Sequence, residues 1–202
     1  MSLINVDSKL WGLAKDKLRL PSMITGTTCG RHGMVKRLIQ VSGTLYGLYF
    51  IMSGPAGLMY RKHFTLQGDS SILSLPLCHF SHTNFFQFAF NTGILYTIGN
   101  LHARKYGCGH FVNVLGLSCG VATLLGVYHV MQHNEPTIAG GMAASAGLVT
   151  YNVFNNPTWF RGYVMRLHPY SWVAALALYG AFNNDKAAVG GIAGGYLAFL
   201  LL

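Results

Sequence analysis

The stretch FVNVLGLSCGVATLLGVYHVM, residues 111–131, decides the fold class, because it carries no charged residue over its whole length. A helix needs about 20 consecutive apolar residues to cross the hydrocarbon core of a bilayer. The rest of the chain has the same character: charged residues make up 9% of its 202 residues, against about 25% in a typical soluble domain. These features predict an integral membrane protein without a separate soluble domain.

Five further uncharged stretches flank this one, and short charged clusters separate them. Together the six predict an all-α, six-helix transmembrane bundle over residues 38–202. The later stretches fall short of about 17 residues, so they must borrow flanking residues or lie where the bilayer is thin. The alternative is that one short stretch is re-entrant. In chain order the six are 38–60, 85–101, 111–131, 139–154, 170–182 and 187–202.

The Lys and Arg residues are segregated by the six predicted spans. If every span crosses, eleven of the 14 lie on the side of both termini, and only Arg61, Lys62 and Lys186 lie opposite. Positive residues are enriched on the cytoplasmic side of membrane proteins. The segregation therefore predicts that both termini face the cytosol, or the matrix in a mitochondrion.

Residues 1–37 form a basic, acid-poor segment in which Leu, Ile and Trp residues are set among the charges. This composition favours an amphipathic arm that binds anionic lipid or a partner protein. It suits equally well an ordinary positive flank of the first span. The segment lacks the apolar core and cleavage site of a secretory signal. Because membrane topology accounts for the formal net charge of +9, no nucleic-acid partner is predicted.

The run Cys78-His79-x-x-His82 contains residue types that bind metals, but no second set of ligands follows at metal-binding spacing. No glycine-rich phosphate loop opens a nucleotide-binding fold. We therefore predict neither a metal nor another cofactor. Among the four cysteines, the predicted topology lets only Cys29 and Cys108 share a compartment, so no disulfide framework is predicted.

Residues 80–107 carry a spaced pattern of polar residues and glycines in an otherwise apolar run. This pattern resembles the second transmembrane helix of the rhomboid family, which comprises intramembrane serine proteases and their inactive relatives. The family has a second histidine where this sequence has Gln87. The resemblance covers roughly residues 38–202 and implies the six-span rhomboid-like fold. The residues that match the family pattern are His82, Asn91, Gly99, Tyr106 and Gly107.

The resemblance also implies where a catalytic pair would lie. Active members have a serine nucleophile in the fourth helix and a histidine base in the sixth, and the matching positions here are Ser145 and Ala188. A serine hydroxyl without an adjacent base is a poor nucleophile. Gln87 and Asn91 retain the ability to donate a hydrogen bond to an oxyanion. The resemblance thus implies a pseudoprotease in which these four residues are remnants of an active site.

Small residues at four-residue spacing recur in the predicted fourth and sixth helices. Such pairs let helix backbones approach closely in lipid, where no hydrophobic effect drives association. They predict that these two helices cross in tight contact. The residues are Gly141, Ala143, Ser145 and Gly147 in the fourth helix and Gly190, Gly191, Gly194 and Gly195 in the sixth.

Without a base, the function that the resemblance implies is binding. The chain is expected to be a scaffold or accessory subunit of a larger membrane complex, with transmembrane proteins as partners. Its basic N-terminal segment favours the mitochondrial inner membrane, where respiratory, ATP synthase and protein-translocase assemblies are candidates. One alternative is a derlin-like retrotranslocation factor of the endoplasmic reticulum. Others are an active protease using Ser145 with a non-standard base and a transporter, although the membrane-embedded charges of an ion path are absent.

We expect topology mapping to find both termini on one side of the membrane and Asp69, Glu135 and Asp185 on the other. Single reporter cysteines at these places, treated with a membrane-impermeant maleimide in intact vesicles, measure this directly. The reason is the segregation of Lys and Arg described above. Termini on opposite sides would show that one of the short stretches does not cross.

Overall fold

The computed structural model describes residues 33–52, 54–82, 84–133, 142–163 and 168–202. Within these ranges the chain is mostly helical and has no β-strand, so the all-α class is confirmed. The predicted arm falls outside them up to residue 32, and Gly141 also lies outside. In chain order the α-helices are α1 (Gly33–Ile51), α2 (Gly54–Phe64), α3 (Ser74–Leu77), α4 (Phe85–Ile94), α5 (Asn100–Tyr106), α6 (Cys108–His133), α7 (Met142–Asn155), α8 (Pro157–Tyr163), α9 (Pro169–Phe182) and α10 (Lys186–Leu201).

The first predicted span, residues 38–60, is two helices and not one. The helical conformation is interrupted between α1 and α2, just before Pro55. Proline is tolerated in the first turn of a helix but not in its interior, since it lacks a backbone N–H and its ring clashes with the preceding turn. The Tyr60 hydroxyl then donates a hydrogen bond of 3.2 Å to the Leu45 carbonyl, which holds α2 against α1. The apolar run is therefore divided into two helices at Pro55.

The second predicted span is longer than expected, because a π-helical turn, Leu95–Gly99, joins α4 to α5 without a break. The helical segment therefore continues to Tyr106. A Cβ atom at Gly99 would lie 3.3 Å from the ring of Phe111 on α6, so the glycine permits close packing there. The segment ends at Gly107, whose φ of 86° and ψ of 163° fall in a region that only glycine readily occupies.

α7 lies at the centre of the bundle, with every residue from Met142 to Val153 buried. α10 makes its most extensive contacts with α6 and α7, and α6 also contacts α7. α4 and α9 each contact α7, while α1 packs on α4 and the π-helical turn. The three helices α6, α7 and α10 therefore form the core on which the others are placed.

Of the described helices, α6 alone is long and apolar enough to cross a membrane by itself. Only 28% of its apolar window is buried inside the protein, whereas a core helix of a soluble protein would be mostly buried. α10 is also apolar but is shorter. These findings support membrane association, and the six-span arrangement remains a prediction.

Large apolar side chains cover much of the outer surface. Ile51, Met131 and Phe182 are 78%, 80% and 85% exposed. Soluble monomers rarely expose contiguous apolar patches larger than a few hundred Å². An exterior of this kind suits contact with lipid or with an apolar protein partner.

Cys108, the first residue of α6, is disulfide-bonded, a bond that the sequence pattern does not predict. Cys78 and Cys119 are free thiols. Burial raises the pKa of the Cys78 thiol to about 12, so this cysteine is uncharged at neutral pH. A thiol that does not ionise is a weak nucleophile, and Cys78 is accordingly a structural residue.

The backbone conformation of Gly107 generates a stability prediction. Gly107→Ala should lower the free energy of unfolding by about 1–3 kcal/mol, because a Cβ atom is strained at this φ and ψ. Thermal unfolding in mild detergent, followed by circular dichroism, measures the change. Gly93→Ala is the control, since an added Cβ at Gly93 meets no heavy atom within 4 Å and helix propensity favours alanine by about 1 kcal/mol. Equal stability of the two variants would contradict the assignment of strain to Gly107.

Candidate functional site

Ser145 lies one turn into α7 and is fully buried. Its hydroxyl donates a long hydrogen bond, 3.5 Å, to the backbone carbonyl of Asn91 on α4. No titratable side chain in the described part of the chain accepts a hydrogen bond from it. A serine is activated as a nucleophile by a base within hydrogen-bond reach. The observed surroundings of Ser145 do not supply that activation.

His82 and Asn91 form a buried pair next to Ser145. The Asn91 amide Nδ2 donates to His82 Nε2 at 3.3 Å, and the two residues are 0% and 1% exposed, respectively. The structure thus brings together three polar residues that the sequence pattern singled out. Burial lowers the pKa of His82 to about 4, in spite of a backbone hydrogen bond at Phe80 that raises it. The imidazole is therefore neutral at neutral pH, and it is bonded to an amide and not to the serine.

Gln87 and Ala188 are the other two positions of the implied active site. Gln87 is half-buried and lies one turn before Asn91, so the two amides share a face of α4. Ala188 is fully buried in the apolar core, in the first turn of α10. A methyl group cannot accept a proton, so the position assigned to the base is chemically inert.

Asp185 caps the N-terminus of α10. Its Oδ1 accepts hydrogen bonds from the backbone N–H groups of Ala187 and Ala188, at 2.9 and 3.1 Å. Carboxylates are favoured at helix N-termini, because they satisfy N–H groups that have no partner within the helix. Burial raises the pKa of Asp185, and the two backbone hydrogen bonds oppose that rise. The carboxylate next to the inert position is thus used for capping.

The glycines of α10 form two stripes that face different helices. Gly191 and Gly195 face α7, where an added Cβ would lie 2.7 Å from the Cα atoms of Ala143 and Gly147, respectively. Gly190 and Gly194 face α6 instead: an added Cβ at Gly190 would collide with the backbone of Ala122. Close approach to α7 is what the spacing predicts for the sixth helix. The equally close approach to α6 is a contact that the spacing does not reveal.

A second buried polar group lies near the opposite end of α7, and sequence reasoning missed it. The Tyr151 hydroxyl donates to His110 at 3.0 Å, and His110 donates to His102, also at 3.0 Å. His102 Nδ1 then donates to Asn152 Oδ1 at 3.1 Å, and Asn152 Nδ2 donates to the Leu148 carbonyl at 2.7 Å. The direction follows because Asn152 Oδ1 can only accept, so His102 Nδ1 is the donor and Nε2 of the neutral imidazole is an acceptor. His110 Nδ1 must then donate to His102, which leaves His110 Nε2 to accept from the Tyr151 hydroxyl. The signal that could have found the group is polar residues within apolar runs.

The run of Cys78, His79 and His82 does not converge on a common point. Cys78 Sγ donates to the Leu75 carbonyl, and His79 Nε2 is 2.7 Å from the hydroxyl of Thr123 on α6. His82 faces α4 as described above. No group of three or more potential metal-binding side chains occurs within the described ranges. These residues attach the segment before α4 to its neighbours.

Comparison with known proteins adds no assignment: no family model matches the chain, and no curated protein matches it closely enough to count as a relative. What the fold and the site define is an all-α protein whose exterior is largely apolar. At its centre a buried serine lies beside a His–Asn pair and, within the described ranges, donates its hydrogen bond to a backbone carbonyl.

The glycine contacts predict which positions control stability. An added Cβ at Gly194 would lie 2.6 Å from the Cα of Ser118 and 2.7 Å from the carbonyl oxygen of Leu117. Backbone atoms cannot move aside cheaply, so Gly194→Leu should cost at least about 1–3 kcal/mol. Ser145→Ala removes one long hydrogen bond, and interhelical hydrogen bonds in membranes average only about 0.6 kcal/mol. Expression level and thermal stability in mild detergent measure both effects.

Gly93→Leu is the matched control for Gly194→Leu, because the same side chain is added to a helical glycine with no heavy atom within 4 Å of the new Cβ. It should express at the wild-type level. A stable Gly194→Leu protein together with a strongly destabilised Ser145→Ala protein would reverse the ranking. That result would show that the hydroxyl matters more than the helix contact.

Proposed function

We propose that this chain is a rhomboid-like membrane pseudoprotease that binds transmembrane partners, as a scaffold or accessory subunit of a larger membrane complex. The surroundings of Ser145 support this most directly. The hydroxyl is buried and, among the described residues, is bonded only to a backbone carbonyl. The position that matches the family's base is the methyl group of Ala188. Removal of the base from a serine catalytic unit costs several orders of magnitude in rate.

The exposed apolar surface supports a binding function. α9 carries no charged residue, and its side chains Leu178, Tyr179 and Phe182 are exposed. The outer face of this helix is therefore apolar. Transmembrane partners pack through dispersion contacts with surfaces of this type. The tight contacts within the α6–α7–α10 core would hold such a surface in one shape. This combination suits a rigid docking element better than a catalyst that needs an accessible site.

The proposal includes six crossings of the mitochondrial inner membrane. Both termini lie on the Lys- and Arg-rich side of the protein, which faces the matrix. The apolar character of α6 and α10 supports the crossings, and the charge segregation supports the orientation. The disulfide at Cys108 disagrees with a reducing compartment on that side, since the matrix and cytosol keep thiols reduced. Topology mapping decides whether Cys108 lies on the Lys- and Arg-rich side. The endoplasmic reticulum, with both termini in the cytosol, is the other candidate membrane.

Activity-based labelling tests whether the protein lacks protease function. We expect no labelling of Ser145 by a fluorophosphonate and no cleavage of a transmembrane substrate in detergent or liposomes. The reason is that no titratable side chain of the described residues accepts a hydrogen bond from the hydroxyl. An active rhomboid protease serves as the positive control in the same assay. Labelling that is present in the wild-type protein and lost in Ser145→Ala would overturn the pseudoprotease assignment.

Isolation of the protein in a mild detergent tests the binding function. We expect transmembrane proteins to co-purify in fixed proportion with the wild-type protein and with Ser145→Ala. The destabilising Gly194→Leu variant should lose them, and Gly93→Leu should retain them. Quantitative mass spectrometry gives the proportions. A wild-type protein that elutes alone, as a monomer, would contradict the scaffold function even if the protein proves inactive as a protease.

A further inference from the structure

The C-terminal end of α6 carries two histidines, His129 and His133, which are four residues apart. Residues at this spacing are neighbours on one face of a helix. The two imidazole rings are packed together, with their centroids 4.5 Å apart and their planes at 46°. His133 is exposed and His129 is half-buried. The pair is therefore accessible to a small ligand from outside the bundle.

The separation of the two rings suits a chelated metal ion. Imidazole nitrogens are good ligands for zinc, copper and nickel. Because a zinc–nitrogen bond is about 2.1 Å long, two nitrogens bound to one ion lie at most about 4.2 Å apart. With ring centroids 4.5 Å apart, a nitrogen of each ring comes within that distance by rotation of the side chain. Two histidines at this spacing on one helix face are also the zinc ligands of a common metalloprotease motif.

The position of the pair in the helix also favours a cation. α6 ends at His133, so both histidines lie near the C-terminal end of the helix. That end carries a partial negative charge, because the last carbonyl groups have no partner within the helix. α6 itself contains no Lys or Arg, so no positive side chain of the same helix repels a bound ion. Geometry and electrostatics therefore favour the same kind of ligand.

We infer that His129 and His133 bind one divalent transition-metal ion, of the class of Cu²⁺ and Zn²⁺. No third metal-binding side chain joins them within the described ranges, so the remaining positions of the ion are open to water or to a ligand from a partner. The inference departs from the prediction that the chain binds no metal. That prediction places the end of the helix at residue 131, whereas α6 continues to His133 and so brings the two rings together. The site is independent of the proposed pseudoprotease function.

Titration of Cu²⁺ into the full-length protein, purified in mild detergent without a histidine tag, tests the site. We expect one tightly bound ion per protein, with an electron paramagnetic resonance spectrum that shows two imidazole nitrogens as ligands. Loss of a residue that merely supports a metal ligand commonly costs about 10–100-fold in affinity. His133→Asn removes a ligand itself, so it should weaken binding by at least about 10-fold. An unchanged affinity in this variant would overturn the inference.

The matched control exchanges two residues of α6, as Met131→His combined with His133→Met. The exchange keeps all nine histidines of the chain, but at about 100° of rotation per residue it places the second imidazole on the opposite face from His129. Met131 is 80% exposed and His133 is also exposed, so the exchange should leave the fold intact. We expect the two-nitrogen signal to disappear. Wild-type binding by the exchanged protein would show adventitious copper binding by scattered histidines and would overturn the site.

Thermal unfolding with and without Zn²⁺ gives a second measurement that does not depend on copper. An ion that binds the native state and not the unfolded chain raises the unfolding temperature by mass action. We expect Zn²⁺ to raise it for the wild-type protein and to leave it unchanged for the exchanged protein and for His133→Asn. Without metal, all three proteins should unfold at the same temperature, which confirms that the variants fold. An equal rise in all three would overturn the assignment of the ion to this pair.

Discussion

The rest of the structure depends on the close approach of α10 to two helices at once. Four glycines make this possible: Gly191 and Gly195 lie against the backbone of α7, and Gly190 and Gly194 lie against the backbone of α6. Any side chain at these positions would meet main-chain atoms, which cannot rotate away as a side-chain end can. In a lipid environment such contacts gain dispersion energy over a large area. The bundle core is therefore held by backbone proximity more than by large interlocking side chains.

The same constraint places the polar residues. Because α7 is enclosed by its neighbours, Ser145 is buried and its hydroxyl donates to the Asn91 carbonyl. α6 has two functions on opposite sides of one helix: Ser118 and Ala122 contact the glycines of α10, whereas Gly116 and Gly120 line a cavity. Rotations of about 100° per residue put these two pairs on opposite faces. Core packing and the lining of a cavity thus share a single helix.

Much of the helical layout could be predicted from the charge-free runs, because in a low-charge chain the few charged and polar clusters mark the ends of helices. The failures have specific causes. An apolar run does not show where the backbone breaks, so the break before Pro55 and the π-helical turn at Leu95–Gly99 were not foreseen. The group of Tyr151, His110 and His102 was also missed, since these residues are far apart in the chain and meet only when three helices pack.

By itself the sequence determined that the protein is helical, strongly apolar and small-residue-rich in its last helix, because these properties follow from composition and from spacing along one helix. It also determined that Ala188 offers no base, since chemistry at a single position needs no fold. Only the tertiary structure decided which surfaces the glycines contact, that His82 is bonded to Asn91 and not to Ser145, and that a cavity lies beside α6. Each of these depends on distances between helices, and no periodicity within one helix specifies its neighbour.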